Sequence, residues 1–175
     1  YYTCDVILQP IKKLNINFEF YYLDRNFLPK IDSIKDSEVL LYVNYFGIMQ
    51  NNFTFLKNKY KILIVDNSQA FFAKPVEGIP TFYSPRKFFG VPDGGFVYCK
   101  EHTNIDLKVD KSADRISHLI SRVENDPESG YEFFKQNDNK LNNCPLRKMS
   151  KLTHKILSSI NYEAVCEKRN KNFNF

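Results

Sequence analysis

The sequence predicts an α/β protein: a three-layer arrangement in which a mostly parallel sheet carries helices on both faces, followed by a helical C-terminal third. Three observations carry that expectation. The runs EVLLYVN (38–44) and KILIVD (61–66) are nearly continuous apolar stretches, as expected of strands covered on both faces. A segment of helix length, 49–59, separates them, and parallel neighbours need such a crossover. From about residue 112 the strand-like runs stop and helical spacing takes over.

The elements follow in order. CDVILQPIKKL (4–14) sets Ile7, Leu8, Ile11 and Leu14 at helical spacing, with Thr3 as the N-cap. Pro10 has no amide hydrogen to give, so the regular helix is expected to begin only just before it. NFEFYYL (17–23) reads as a strand, because aromatics dominate and Phe18 and Phe20 alternate with polar neighbours. After the strand–helix–strand unit of 38–66 come two short strands, 80–84 and 95–99. Helices are expected at 112–124, 128–137 and 149–160, with a last one from about 162 to the chain end. The natural division is an α/β portion over 1–125 and a helical segment over 126–175.

Composition narrows the function classes. A chain of 175 residues, 43% of them hydrophobic, can bury the core of one domain. The net charge of +5 is mild and its bases are dispersed, with the densest group at Lys168, Arg169 and Lys171. That balance permits an anionic small-molecule ligand and argues against nucleic acid as a partner. Cys4, Cys99, Cys144 and Cys166 form no CxxC pair and have no His at metal-ligand spacing, so they read as reduced thiols with no metal. No apolar run approaches the length of a membrane span and no signal peptide precedes the first element. The expectation is a cytoplasmic protein with no membrane partner. The chain opens on Tyr1-Tyr2 without an initiator Met, so upstream residues are expected.

In open parallel sheets, ligands bind beyond the carboxyl ends of the strands. That rule selects Asn44 after the first apolar run, Asp66 with Asn67, Ser68 and Gln69 after the second, and Ser84 with Arg86 and Lys87 after the third. Taken singly, each has a plainer role. Asp66 can cap a helix, Ser84 can serve a turn before Pro85, Asn44 can tie down a loop, and Lys87 can be a solvated surface base. Together they deliver an amide, a carboxylate with a second amide, and a hydroxyl with a lysine to the edge where such sheets keep their sites.

These residues resemble a known family. DNSQA (66–70), then Lys87 21 positions after Asp66, then DGG (93–95) is similar to the pattern of the DegT-type sugar aminotransferases, which depend on pyridoxal phosphate and have aminotransferase fold type I. NYFG (44–47), RKMS (147–150) and the stretch from Arg169 to Phe173 resemble weaker signatures of the same family. Ser84 lies three residues before Lys87, where the family often spaces its Ser five before. The chain lies along the family's middle portion. Its helical end would lead toward a small domain beyond it.

The resemblance implies roles. Lys87 would attach the cofactor aldehyde and then act as general base, a task that needs a neutral amine and hence a dry surrounding supplied by Phe88 and Phe89. Asp66 would sit against the pyridine nitrogen and keep it protonated. Gln69 would hydrogen-bond near the ring's phenolic oxygen, and Asn44 and Ser84 would complete the cofactor contacts. Gly94 and Gly95 would turn the chain away, and Arg86 would point to an anionic group or to solvent. Substrates would be a nucleotide-linked keto sugar and an amino donor such as glutamate, and the assembly a homodimer. The alternative is a non-catalytic α/β scaffold or sugar-nucleotide-binding module of the same fold, in which Lys87 is an ordinary side chain.

Overall fold

A computed structural model describes residues 4–100, 105–142 and 144–173. The elements in chain order are α1 (Asp5–Lys13), β1 (Val39–Val43), α2 (Asn52–Lys59), β2 (Ile62–Asp66), β3 (Thr81–Tyr83), β4 (Phe96–Tyr98), α3 (Ser117–Glu124), α4 (Tyr131–Leu141), α5 (Lys151–Ser158) and α6 (Tyr162–Phe173). The strands form one sheet of order β1-β2-β3-β4, in which β1 pairs with β2 and β2 with β3 in parallel. The protein is therefore α/β, with a mostly parallel sheet and six α-helices among the described residues.

The register aligns the strand ends. Val39 lies opposite Ile62 and Val43 opposite Asp66, and Asp66 in turn lies opposite Phe82. Beyond the ladder, Asn44 N–H donates to Asp66 O at 3.0 Å and Asn67 N–H to Phe82 O at 2.8 Å. The carboxyl ends of β1 and β2 are thus tied side by side.

The chain forms two compact units, Tyr1–Phe82 with Tyr98–Lys100, and Tyr83–Val97 with Glu101–Phe175. The core of the first is Leu40, Tyr42, Phe53, Leu56, Tyr60, Leu63, Val65 and Ile79, all buried. Burying one such aliphatic side chain stabilises by about 1.5–3 kcal/mol, so this cluster is what fixes α2 on the sheet. Tyr42 packs edge-on against Phe53 with centroids 6.1 Å apart, and its hydroxyl donates to Phe27 O at 2.9 Å. In both β1 and β2 the first residue is exposed and the third half-buried, so the runs are less fully covered than their composition suggests.

The second unit is mainly helical. α3 and α4 form a hairpin at whose turn Gly130 is obligatory, because a Cβ there would stand 2.7 Å from His118 O and 2.6 Å from Arg122 Cγ. His118 is buried; its Nδ1 lies 2.9 Å from Asn137 Nδ2 and its ring edges the Phe134 ring at 5.7 Å. Arg115, also buried, is ion-paired with Asp110.

Several expectations need correction. Residues 17–22 form no strand; a single antiparallel bridge joins Leu23 to Pro29. The reason is the loop that follows, where Asp24 Oδ1 accepts from the N–H groups of Asn26 and Leu28, both at 2.8 Å. That loop folds the chain back before a ladder can extend. Thr3 lies outside the described residues, and Cys4 stands at the N-cap of α1 without a side-chain cap bond. Pro10 sits inside the nine-residue α1 rather than at its start, at the cost of the one bond its missing N–H would have made. The helix expected at 112–124 is a 3₁₀ turn (Ala113–Arg115) followed by α3, and α4 runs past residue 137 to Leu141.

Candidate functional site

Asn44 and Asn67, directly after β1 and β2, are both fully buried. Asn44 Nδ2 donates to Asn67 Oδ1 at 2.9 Å, and Asn44 Oδ1 accepts from Met49 N–H at 3.1 Å. Asn44 therefore does tie down a loop, the one containing the 3₁₀ turn Tyr45–Gly47. The loop needs unusual backbone: Phe46 has φ +55° and Gly47 φ +78°, and a Cβ on Gly47 would come within 3.3 Å of Ala70 Cβ. This close approach joins the NYFG and DNSQA segments.

Asp66 is 3% exposed. No helix follows it, so it caps none; its Oδ1 instead accepts Ser68 N–H at 2.7 Å and shapes the turn that carries Gln69. Two amide atoms of this loop, Asn67 Nδ2 and Gln69 Oε1, are buried with no hydrogen-bond partner among the described residues. A buried polar atom left unpaired costs about 1–3 kcal/mol, so such atoms mark strain or a missing ligand. Asn44, Asp66 and Gln69 thus lie together in the first unit.

Ser84 and Lys87 belong to the second unit. Ser84 is half-buried, precedes the 3₁₀ turn Pro85–Lys87 and makes no capping bond with its side chain. Lys87 is exposed. The dry walls expected from its neighbours are not built around it. Phe88 is instead covered by the Arg169 guanidinium 4.9 Å from its ring centre, and Phe89 stands edge-on to Tyr162 at 5.5 Å. Both partners come from α6, which offers a cation and a ring that sequence spacing could not place. Arg86 does reach an anionic group, Asp138, at 3.0 Å.

The Gly-Gly turn carries a further surprise. Gly94 has φ +104°, and a Cβ there would meet Met149 Cε at 2.9 Å. The preceding Asp93 is 5% exposed and accepts from Ser150 N–H at 2.8 Å, from the Ser150 hydroxyl at 2.7 Å and from the Thr153 hydroxyl. Ser150 is the N-cap of α5, its Oγ also accepting Thr153 N–H at 3.1 Å and lying 2.7 Å from Ser112 Oγ. Burial pushes the Asp93 pKa up, but the bonds from Thr153 and Ser150, with one from Ser112, outweigh it and hold the carboxyl below the ordinary range. Asp93 is a structural anchor for α5. The Ser-x-x-Thr spacing after Met149 is the sequence signal for that cap.

Two surface hollows of the second unit are lined by other residues. One of about 550 Å³ lies on α6 at Val165, Lys168, Arg169, Asn172 and Phe173. The other, about 350 Å³, lies beside the start of α5 at Lys111, Ser112, Ser150 and Lys151 among others. Both are shallow and neither contains an expected site residue. Among the described residues there is no cluster of three or more His, Cys, Asp or Glu able to hold a metal, and no helix is long and apolar enough to cross a membrane. Comparison of the chain with protein-family models, with curated proteins and with solved structures found no match in any of the three.

Proposed function

We propose that this chain is the cofactor-binding portion of a pyridoxal-phosphate-dependent aminotransferase of fold type I, acting on a nucleotide-linked keto sugar in the cytoplasm as a homodimer. The observation that carries the reading is Asp66: a nearly inaccessible carboxylate at the carboxyl end of a parallel strand, accepting one backbone N–H among the described residues. A carboxylate has about four lone-pair sites, so Asp66 retains capacity for a cationic group such as a protonated ring nitrogen. The orphaned Asn67 Nδ2 is a donor that a ring oxygen would satisfy, and the orphaned Gln69 Oε1 an acceptor that a ring hydroxyl would satisfy. These residues fit the cofactor.

When bound, pyridoxal phosphate supplies an electron sink for cleaving the bond to an amino acid's α-hydrogen. The protein's part is attachment, charge and proton traffic. Lys87 supplies the amine that attaches the cofactor and afterwards accepts and returns a proton at Nζ. Asp66 holds positive charge at the ring nitrogen, Gln69 orients the ring, and Asn44 and Ser84 support the loops that carry these groups. The exposure of Lys87 favours a second reading, a non-catalytic α/β binding module in which that lysine is an ordinary surface base.

Titration of the purified chain with pyridoxal phosphate separates the two. The enzyme reading expects a visible absorption band that disappears on borohydride reduction and is absent in Lys87→Arg, because a guanidinium is too weakly nucleophilic to replace the amine. Lys87→Arg should keep the native circular dichroism. A band that survives this substitution, or no band in the unsubstituted chain, would favour the binding module.

A further inference from the structure

Asn67 lies among the strand-end residues without a role assigned above, yet its amide has a fixed orientation that can be deduced without seeing hydrogens. Met49 N–H can only donate, so the end of the Asn44 amide facing it, at 3.1 Å, must be Oδ1. The other end of Asn44 is then a donor, and the atom it meets at 2.9 Å on Asn67 must be Oδ1. Asn67 Nδ2 is left as the opposite end. It is buried and has no partner among the described residues, although Asn67 is 0% exposed and its backbone is itself held, N–H to Phe82 O at 2.8 Å and O from Ala70 N–H at 2.9 Å.

A donor locked in direction and shielded from water is an unsatisfied group unless something accepts from it. It stands one residue beyond Asp66, at the strand end where open parallel sheets bind ligands. We propose that Asn67 Nδ2 is a ligand-binding donor to an oxygen of the bound molecule, and that Asn44 is the positioning residue that aims it. The ligand's identity rests on the cofactor reading above; the donor's direction rests only on the amide chain from Met49 through Asn44.

The test uses pyridoxal phosphate and the intact chain labelled with ¹⁵N-asparagine, the Asn67 side-chain signals being assigned through their own β-protons. Adding the cofactor should shift the Asn67 Nδ2 signals. Asn67→Asp keeps the acceptor that Asn44 needs and deletes the donor, and should weaken cofactor binding by about tenfold, the worth of one hydrogen bond. Asn44→Asp keeps the acceptor for Met49 but presents a second acceptor to Asn67, forcing its amide to turn over. That variant should lose similar affinity, and its Asn67 signals should no longer respond to the cofactor. A chain that takes up the cofactor with the Asn67 signals unmoved overturns this inference and leaves the cofactor reading standing. A chain that takes up no cofactor overturns both.

Discussion

Two aspartates nearly lost to solvent, Asp66 in the first unit and Asp93 in the second, meet opposite fates. Asp93 is well supplied with donors: a backbone N–H and two hydroxyls from the start of α5, with Ser112 beside them. Asp66 receives the Ser68 N–H alone among the described residues. A buried carboxylate whose lone pairs are filled by its own chain is a fastening. One with unfilled lone pairs is paid for by function or not at all, which is why Asp66 and not Asp93 is the candidate for charge chemistry.

The largest effect should separate them directly. Asp93→Ala leaves the Ser150 N–H and two hydroxyls without an acceptor and should cost about 2–3 kcal/mol in urea unfolding. Asp66→Ala removes one bond and also a buried charge, so it should cost under about 1 kcal/mol while abolishing uptake of pyridoxal phosphate. Equal destabilisation by the two substitutions would erase the distinction.

Backbone strain gives a second contrast. Gly94→Ala forces a side chain into φ +104° and within 2.9 Å of Met149 Cε, loosening the turn that presents Asp93. It should cost roughly 1–3 kcal/mol. Gly47→Ala, at φ +78° but 3.3 Å from Ala70 Cβ, should cost about 1 kcal/mol and act on the loop after Asn44. The order of the two midpoints in urea is the check.

Much of this was legible in the sequence because it depends on short-range pattern. The runs 38–44 and 61–66 became β1 and β2, and the strand-end rule selected Asn44 and Asp66, which the parallel register does set side by side. What stayed hidden depends on distant partners. Phe18 and Phe20 alternate as a strand should, but a ladder needs a paired neighbour, and the pairing around the Asp24 loop stops at the Leu23–Pro29 bridge. Phe88 and Phe89 lie beside Lys87 in sequence, yet α6 claims them from 70 or more positions away. The strand-end rule reached Asn67, but its role stayed hidden because it lies in an amide chain that begins at Met49. Asp93 looked like part of a glycine turn because Ser150 is 57 residues on.

Titration gives the smaller contrasts, both in the second unit. The Asp93 pKa is lowered in the folded chain, so its contribution is present above the ordinary carboxylate range and is lost as pH falls through the folded value. Asp93→Asn should flatten the acid limb of stability against pH. His118 is also lowered, chiefly by burial and then by the Arg122 and Arg86 cations. The unfolded chain therefore takes up that proton first, and stability declines as pH falls below about 6.5. His118→Gln should remove the decline that sets in below about pH 6.5.

The most direct test of the central claim is chemical mapping. The chain is loaded with pyridoxal phosphate, reduced with borohydride and digested, and the modified lysine is located by mass spectrometry in the unsubstituted protein and in Asp66→Ala. One dominant modification is expected, at Lys87, and it should fall sharply when Asp66 is removed. Modification spread over exposed lysines such as Lys12, Lys13 and Lys155, unchanged in Asp66→Ala, would contradict it.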